Sequence, residues 1–213
     1  MSANNPFTSD ATVHVVDDDA TLRRSLKFLI ESMGWRVQTF DSAENFLQSQ
    51  PEPPGCLVLD VHMPSMGGLD LQQAMQQRCI ELPIIFISGH ADVSLAVQAM
   101  KQGAVEFLEK PFRDQVLLDA IAQAMRRSVA ALGARRAHHS VRAQFERLTA
   151  REKEVALCVA RGQPNRVIAP ALGISVKTVQ VHRQHVLEKM QAHSASELAA
   201  LLLPVFAAAQ GPV

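Results

Sequence analysis

Short apolar runs alternate with helical patterns along the first 125 residues. Apolar residues recur at helical spacing over Ala20–Met33, and Gly34 follows as a stop signal. Asp92 is placed to cap a helix over Val93–Gln102. Five runs rich in β-branched residues are the candidate strands: Thr12–Val16, Arg36–Phe40, Cys56–Leu59, Ile84–Ile87 and Val105–Leu108. This alternation predicts an α/β domain, with a doubly wound, five-stranded parallel sheet and helices on both faces.

From about Asp114 onward the pattern is helical. The first predicted helix runs from about Asp114 to at least Arg127, and its pattern can continue through residues 133–139. Thr149 and Glu152 have the spacing of a capping box, which satisfies exposed amides at a helix start. Further start and stop signals predict helices over Asn165–Gly173 and Ser175–Met190, and a second capping box at Ser194–Glu197. The four helices from Thr149 onward are therefore predicted to form an all-α domain.

The hydrophobic pattern and the distribution of charge both divide the chain into two parts. The pattern predicts an α/β domain over residues 10–127, a linker that is helical in part over residues 128–147, and a helical domain over residues 148–206. Residues 1–130 carry 10 Lys and Arg against 16 Asp and Glu, whereas residues 131–213 carry 11 against 5. A basic segment favours a polyanionic partner, and an acidic one more often binds metal.

Composition indicates the cellular compartment in which the protein is expected to fold. The three cysteines, Cys56, Cys79 and Cys158, are far apart and set among apolar residues, so we expect core cysteines of a reducing compartment. The first ten residues show no signal peptide. The longest apolar stretch, Leu198–Ala209, is too short to cross a bilayer. We therefore expect a cytoplasmic protein that does not bind membranes.

Polar residues gather where the predicted strands end. Asp17 and Asp18 follow the first strand, Asp60 follows the third, and Ser88 and Lys110 follow the fourth and fifth. Neighbouring strand ends of a doubly wound sheet can bring these side chains together. Three carboxylates in one place repel one another unless a cation such as Mg²⁺ joins them. A carboxylate nucleophile, a metal ion, a hydroxyl and an ammonium make a phosphoryl-transfer site.

Residues 12–125 resemble the receiver domain of bacterial response regulators, in particular its FixJ-type branch. The resemblance rests on VVDDD (15–19), CLVLDVHMP (56–64), IIFISGHAD (84–92) and AVEFLEKPF (104–112). It implies a flavodoxin-like or CheY-like fold in which Asp60 accepts a phosphoryl group from a histidine kinase or a small phosphodonor. It also implies that Asp18, Asp60 and the main-chain carbonyl of His62 bind Mg²⁺ directly, that Asp17 acts through water, and that Mn²⁺ can substitute.

The same resemblance assigns roles to residues around the acceptor. Lys110 is expected to precede a cis peptide bond to Pro111. Phe107 matches an aromatic switch that turns inward as the serine at the end of the fourth strand moves onto the phosphate. His62 and His90 lie two residues beyond the acceptor and that serine. They either are solvated loop residues or gate the attacking water, and the sequence leaves both interpretations open.

The predicted helix from Ser175 to Met190 has two faces. Its inward face is formed by Val179, Val186 and Met190, and its outward stripe by Lys177, Gln180, Val181 and Gln184. Glutamine can pair with adenine in the major groove, and valine can touch a thymine methyl group. The residues placed for phosphate contacts are Lys177, Thr178, Arg183 and Arg166. This arrangement favours a helix-turn-helix that reads duplex DNA.

Residues 148–203 resemble the LuxR-type DNA-binding domain, most specifically in LTAREKEVALCVARGQPNRVIAPALGISVKTVQVHRQHVLEKM (148–190). The resemblance implies that His182 supports the recognition helix and that a helix over residues 195–203 forms the dimer contact on DNA. Pro170 departs from the pattern, because proline removes an amide that would bond to the Arg166 carbonyl. We expect a kink or a frayed first turn there, which would affect the position of Arg166.

These features predict a two-component transcription regulator whose only chemistry is Mg²⁺-dependent self-phosphorylation and self-dephosphorylation, so that it is not an enzyme. The expected partners are a sensor histidine kinase, promoter double-stranded DNA, RNA polymerase and, after phosphorylation, a second copy of the chain. The residues expected at the dimer surface are Val93, Val97, Met100, Lys101 and Glu106. The alternative for the apolar ones is that they face the sheet.

Two other functions stay open from the residues alone. A phosphohydrolase of the haloacid-dehalogenase class also uses an aspartate and Mg²⁺, but it carries Asp-x-Asp after the first strand, whereas Asp60 follows the third. A regulator that binds RNA or a protein would use the helices only for docking. The sequence also does not decide whether the unphosphorylated receiver covers the recognition helix or only fails to dimerise.

Overall fold

The computed structural model describes residues 11–89 and 93–207, which form five strands and nine helices. In the first part these are β1 (Thr12–Val16), α1 (Ala20–Ser32), β2 (Arg36–Phe40), α2 (Ala43–Gln48), β3 (Gly55–Asp60), α3 (Gly68–Gln77), β4 (Ile84–Ser88), α4 (Val93–Lys101), β5 (Glu106–Glu109) and α5 (Asp114–Glu146). The second part adds α6 (Ala150–Ala160), α7 (Asn165–Ala171), α8 (Val176–Lys189) and α9 (Ala195–Ala207). The chain forms two compact units that divide between Leu132 and Gly133.

The first unit contains one parallel sheet in the order β2-β1-β3-β4-β5. The predicted fold class is confirmed, and the predicted bounds of β1 and β2 match those observed. Strand β3 is one residue longer at each end than predicted, β4 one residue longer, and β5 begins one residue later. As a result Asp60 and Ser88 are the last residues of their strands rather than the first residues after them.

The strands alternate their side chains between two hydrophobic clusters. Val58 and Ile87 belong to the cluster that contains residues of α1 and α5, whereas Leu59 and Phe86 belong to the cluster that contains residues of α2, α3 and α4. A strand that is buried on both faces shows this alternation as a continuous apolar run. The two clusters fix the sheet between its helices, and the carboxyl ends of its strands share one edge.

The strand order reverses between β1 and β3, because β2 lies on one side of this pair and β4 on the other. In open parallel sheets a crevice opens outside the carboxyl ends of the strands at such a reversal. The residues at these two ends are Asp17, which follows β1, and Asp60, which ends β3. The topology therefore places both carboxylates at the crevice.

Helix α5 continues through the boundary between the units to Glu146, well beyond Arg127. The core of the second unit includes Phe145, at 5% exposure, and Val141 packs against it. Both residues lie within the segment predicted as a linker. The capping box of Thr149 and Glu152 is present at the start of α6. None of the helices within residues 11–89 and 93–207 has both the length and the apolar composition of a membrane span.

The prediction of three core cysteines is wrong for Cys79. Cys56 is buried, but Cys158 is only partly buried and Cys79 is exposed. Cys79 follows the last turn of α3 with φ of +55°, and its amide donates to the Gln76 carbonyl at 3.1 Å. The left-handed residue follows the end of α3 and lies on the surface, so its thiol is exposed although its sequence neighbours include apolar residues.

Candidate functional site

Three carboxylates lie together at the carboxyl edge of the sheet. One oxygen each from Asp17, Asp18 and Asp60 lies within 4.8 Å of the other two. Asp17 and Asp60 are buried, whereas Asp18 is exposed. The cluster is therefore open to solvent on one side and closed by the sheet on the other. Carboxylate oxygens in such an arrangement suit a hard divalent cation that keeps some of its water.

Lys110 links two of these carboxylates. Its Nζ lies 2.9 Å from Asp17 Oδ2 and 3.2 Å from Asp60 Oδ2. The backbone N–H of Lys110 donates to the Ser88 carbonyl at 2.7 Å, so the register of β4 and β5 positions the side chain. The peptide bond from Lys110 to Pro111 is cis, which confirms the expectation from the resemblance.

The electrostatics of the cluster favour an additional positive charge. Burial raises the pKa of Asp17, although hydrogen bonds from Lys110 and from the Asp19 backbone lower it in part. Lys110 places one positive charge against Asp17 and Asp60, whereas the cluster contains three carboxylates, so negative charge remains uncompensated. A divalent cation would relieve this repulsion, and the oxygen donors that it needs are present. The residues therefore fit a Mg²⁺ site.

Ser88, His62 and Phe107 surround the acidic cluster. Ser88 is fully buried, and its Oγ lies 3.5 Å from His62 Nδ1. The His62 backbone N–H donates to Asp60 Oδ1 at 3.4 Å. Phe107 is half-buried, with its ring centroid 6.2 Å from that of Phe86 in the second cluster. The structure thus places Ser88 and His62 in mutual reach beside Asp60, whereas His90 and Asp92 lie outside the described residues.

Gly68 supports the backbone of the candidate acceptor. A Cβ atom at this position would lie 2.4 Å from the Asp60 carbonyl oxygen and 3.1 Å from Val61 Cα. Backbone atoms at such distances cannot move aside as a flexible side chain could. The close approach of α3 to the end of β3 therefore requires glycine. The glycine pair that follows the motif around Asp60 was the available sequence signal, and the sequence reasoning did not use it.

Helix α4 presents an apolar surface to solvent. Val93, Val97 and Met100 are exposed by 76%, 46% and 44%, so they do not face the sheet. Lys101, also exposed, ends the same helix, and Glu106 is half-buried with its Oε1 accepting from the Phe107 amide at 3.2 Å. Four of the five residues expected at a dimer surface thus belong to α4, and the fifth, Glu106, is the first residue of β5.

An apolar cavity of about 610 Å³ lies beside Lys110. It is lined mainly by α1 and by the start of the segment after β5, including Leu22, Phe28 and Phe112. Phe28 is 79% exposed, the largest exposure among the large hydrophobic residues in the described part of the chain. The sequence showed α1 as an amphipathic helix but did not show that one of its aromatic residues faces solvent.

The second unit presents α8 as predicted for a recognition helix. Val179 and Val186 are fully buried, and Gly173, with φ of +65°, makes the turn between α7 and α8. Ser175 caps α8 by accepting from the Thr178 amide at 3.0 Å. The outward stripe is exposed throughout: Lys177, Gln180, Val181 and Gln184. An exposed polar stripe on a helix that is packed on its other face can enter the major groove.

The candidate phosphate-contacting residues are not equally exposed. Arg166 is exposed, Thr178 is half-buried with its Oγ1 2.8 Å from Ser175 Oγ, and Arg183 is half-buried. Arg183 Nη1 donates to Asn165 Oδ1 at 3.1 Å. Arg183 therefore joins α8 to the start of α7, in addition to any role on DNA.

The expected fraying of α7 at Pro170 is wrong. The first turn is hydrogen-bonded, since the amides of Val167 and Ile168 donate to the Pro164 carbonyl at 2.8 and 3.2 Å. The helix continues past Pro170 to Ala171, and only one amide is lost close to its carboxyl end.

His182, expected to support the recognition helix, is half-buried on α8. Its Nδ1 is buried without a hydrogen-bond partner in the described structure.

The second capping box is present in altered form. The Glu197 amide donates to Ser194 Oγ at 3.1 Å, but the Glu197 carboxylate accepts from the His193 amide at 2.7 Å rather than from Ser194.

The sequence reasoning missed the partner of Glu152 in the first capping box. Lys189, at the end of α8, donates to that carboxylate, and no local signal connects residues so far apart in the chain.

Two family models match the chain. The model for the response regulator receiver domain matches residues 13–122, and the model for bacterial regulatory proteins of the luxR family matches residues 146–202. These matches cover the acidic cluster and the candidate recognition helix, respectively.

Known proteins resemble the chain over both units. Nodulation protein W of Bradyrhizobium diazoefficiens is 45% identical over 192 residues, which cover 90% of this chain and 85% of that protein. The transcriptional regulatory protein FixJ of Rhizobium meliloti is 43% identical and covers 92% of this chain and 96% of its own. The low-resolution structure of response regulator StyR has a TM-score of 0.80 at 42% identity, covering 91% of this chain and 98% of its own.

Proposed function

The chain belongs to the response regulators that join a receiver domain to a LuxR-type DNA-binding domain, and we propose that Asp60 is its phosphoryl acceptor. Such a chain is a phosphorylation-activated, DNA-binding transcriptional regulator rather than a classical enzyme, and its receiver implies a kinase partner. The observation that carries the proposal is the contact of Lys110 with both Asp17 and Asp60 at the strand-order reversal.

The geometry distinguishes Asp60 from the other two carboxylates. Asp17 is fully buried and held by Lys110 and the Asp19 amide, whereas Asp18 lies exposed at the rim. Asp60 is 7% exposed at the end of β3, with Lys110 on one oxygen and the His62 amide near the other. A carboxylate oxygen of Asp60 forms the bond to phosphorus while the bond from phosphorus to the donor's nitrogen or oxygen breaks, and the leaving group takes its proton from solvent.

Asp17, Asp18, Asp60 and the main-chain carbonyl of His62 would hold Mg²⁺ or Mn²⁺ at this site. The ion supplies positive charge that stabilises the transferring phosphoryl group. Lys110, which contacts one oxygen of Asp60, contributes further positive charge, and Ser88 donates its hydroxyl to a phosphoryl oxygen. Slow self-phosphorylation by small donors and slow self-dephosphorylation follow from the same residues.

The phosphoryl group acts on the rest of the receiver through Ser88 and Phe107. A phosphoryl group carries about −1.5 to −2 charges. Because the acyl phosphate replaces the ionised carboxylate of Asp60, the end of β3 gains about one negative charge in total. Ser88 moves toward this charge, and Phe107 packs into the space that it leaves. Because Phe107 lies on β5 beside α4, this repacking changes the exposed surface of Val93, Val97 and Met100. Two receivers then dimerise through this surface, with Lys101 and Glu106 in polar contacts.

Dimerisation places two helix-turn-helix units on the half-sites of a promoter, about one helical turn apart. Gln180, Gln184 and Val181 contact base edges, and Lys177, Thr178, Arg183 and Arg166 contact phosphates. The apolar helix α9 supplies the contact between the helix-turn-helix units of the two copies on DNA. RNA polymerase is the partner that the bound dimer recruits or obstructs.

The experiment that tests the acceptor is phosphate labelling by a small phosphodonor in Mg²⁺. Wild type is expected to incorporate phosphate at Asp60, located by peptide mapping. Asp60→Asn is expected to incorporate none, because an amide is not a nucleophile. Asp70→Asn serves as the matched control, since Asp70 is an exposed carboxylate on α3. Label on Asp60→Asn at the level of wild type would refute the assignment, and rapid release of free phosphate from many monoesters would favour a phosphohydrolase instead.

A further inference from the structure

Asp17 is held at four points, and one of them comes from a helix outside the acidic cluster. Its amide donates to the Phe40 carbonyl at 3.3 Å, and its carboxylate accepts from the Asp19 amide and from Lys110. Its carbonyl oxygen accepts from Arg23 Nη1 at 2.6 Å. Arg23 lies on α1 and is half-buried. The four contacts fix the backbone of Asp17 between β1 and α1 as well as the direction of its side chain.

The position of Arg23 is unfavourable for helix stability. It lies in the first turns of α1, whose amino-terminal turn contains no acidic residue. The amino-terminal end of a helix carries partial positive charge, so a cation there is destabilising. Interaction with the Asp17 carbonyl and with nearby carboxylates offsets this cost. The contact of Arg23 with the loop between β1 and α1 therefore accounts for an arginine at this position better than helix stability does.

The carboxylates around Arg23 belong to two neighbouring strand ends. The Asp19 carboxylate accepts from the amides of Thr21 and Leu22 at 2.7 and 3.3 Å. The hydrogen bond from Asn45 and, to a smaller extent, the charge of Arg23 hold the pKa of Asp41, which follows β2, below its usual value. One guanidinium thus lies near the residues that follow β1 and β2.

We propose that Arg23 is a positioning residue for the metal-binding carboxylates. By holding the Asp17 carbonyl it fixes the loop from β1 to α1, so that Asp17 and Asp18 point at the same place as Asp60. Hydrogen-bond partners behind a metal ligand typically change metal affinity by about 10- to 100-fold when they are removed. This inference rests on the proposed function, but metal binding can be measured without phosphoryl transfer.

The sign of the change in metal affinity separates positioning from simple charge. Removal of a cation close to a metal site by itself strengthens the binding of another cation, because it removes repulsion. Loss of positioning has the opposite effect, since the carboxylates no longer converge. Arg23→Met removes the charge and the hydrogen bond together. Arg24→Met removes an equal charge from the next residue of α1, which is exposed, and is the matched control.

Mn²⁺ binding to the full chain, followed by electron paramagnetic resonance of the free ion, is the direct measurement. Arg23→Met is expected to bind Mn²⁺ about tenfold more weakly than wild type, Arg24→Met is expected to bind at least as tightly, and Arg23→Lys is expected to recover part of the loss. Excess Mg²⁺ is expected to restore the phosphate labelling rate of Arg23→Met, because the defect lies in metal binding. Thermal unfolding without metal checks that each variant is folded.

Two results would overturn the proposal: Mn²⁺ binding by Arg23→Met that is unchanged or tighter, or an equal loss in Arg24→Met. If Arg23→Met does not fold, the same criteria apply to Arg23→Lys, which then must bind more weakly than wild type. Failure of Asp60 to take label in the wild type would refute the acceptor assignment, and it would leave the Mn²⁺ comparison intact as a separate result.

Discussion

Lys189 Nζ donates to both carboxylate oxygens of Glu152, at 2.8 and 2.7 Å. Glu152 also closes the capping box of α6 by accepting from the Thr149 amide at 2.8 Å. One nearly buried carboxylate therefore joins the start of α6 to the end of the candidate recognition helix α8. The orientation of α8 depends on this carboxylate as well as on the hydrophobic core.

Lys189→Met is expected to destabilise the second unit by about 1–2 kcal/mol. The variant removes the cation from a buried carboxylate, but the lysine itself is 42% exposed, so solvent screens part of the interaction. Hydrogen bonds from Lys189 and Thr149 hold the pKa of Glu152 at about 2. A depressed carboxyl pKa stabilises the fold above the unfolded value and loses this contribution as pH falls toward 2. Thermal unfolding of residues 133–213 between pH 7 and pH 3 measures both effects. A variant as stable as wild type at pH 7 would contradict the role of the pair.

His14 makes the first unit sensitive to mild acid. It is 3% exposed, it lies against Phe40 and Phe46 with ring centroids 6.1 and 5.6 Å away, and neither ring nitrogen has a hydrogen-bond partner in the described structure. Burial lowers its pKa to about 4. The unfolded chain therefore binds a proton more readily, so stability is full above pH 6.5 and falls as pH decreases toward 4.

The expected loss over this pH range is about 3 kcal/mol, since each pKa unit corresponds to about 1.4 kcal/mol. His14→Phe is expected to remove this dependence, because a phenyl ring fills a similar volume without titrating. Denaturant unfolding of the receiver between pH 7 and pH 4.5 tests it. An equally steep loss of stability in His14→Phe would assign the effect to other groups.

The sequence predicted the sheet and the acidic cluster well because both depend on local patterns. β-branched runs mark the strands, and a parallel sheet brings the residues after each strand to one edge. The clustering of Asp17, Asp60 and Lys110 therefore followed from their positions at the ends of predicted strands. Residues that act through contacts distant in sequence left no such signal. The pairing of Lys189 with Glu152 is one example, and the exposure of Cys79 after a left-handed turn is another.

The recognition helix gives a prediction that separates base contacts from phosphate contacts. Gln180→Ala and Gln184→Ala are each expected to weaken binding to the specific site by about 1–3 kcal/mol and to relax sequence preference. Lys177→Ala is expected to weaken binding to all duplexes equally and to reduce the salt slope by about 1. Fluorescence anisotropy on specific and random duplexes at several salt concentrations distinguishes these outcomes. Equal losses on both duplexes for all three variants would mean that the reading face lies elsewhere.

Phe28 gives a prediction for the kinase partner. The exposed ring lies at the apolar cavity that adjoins Lys110, so a protein that delivers a phosphoryl group to Asp60 is expected to dock there. Phe28→Ala is expected to slow phosphotransfer from the kinase by about tenfold, equivalent to about 1.4 kcal/mol of lost contact. Labelling by a small phosphodonor is expected to be unchanged, since such a donor needs no docking surface. If both donors slow equally, the ring supports the receiver fold instead.

Phosphorylation of Asp60 is expected to turn on DNA binding through receiver dimerisation. A shift of the receiver from mostly inactive to mostly active requires a differential of about 5.5 kcal/mol. The phosphoryl charge, the movement of Phe107 and burial of the exposed α4 surface in a dimer are expected to supply it together. The most direct measurement is sedimentation of the full chain with a target duplex, with and without beryllofluoride as a mimic of the acyl phosphate. The wild type is predicted to sediment as a monomer without the mimic and as a dimer on DNA with it, whereas Asp60→Asn stays monomeric in both. A wild type that gains DNA affinity with the mimic while remaining monomeric would contradict the account and would favour release of a covered recognition helix.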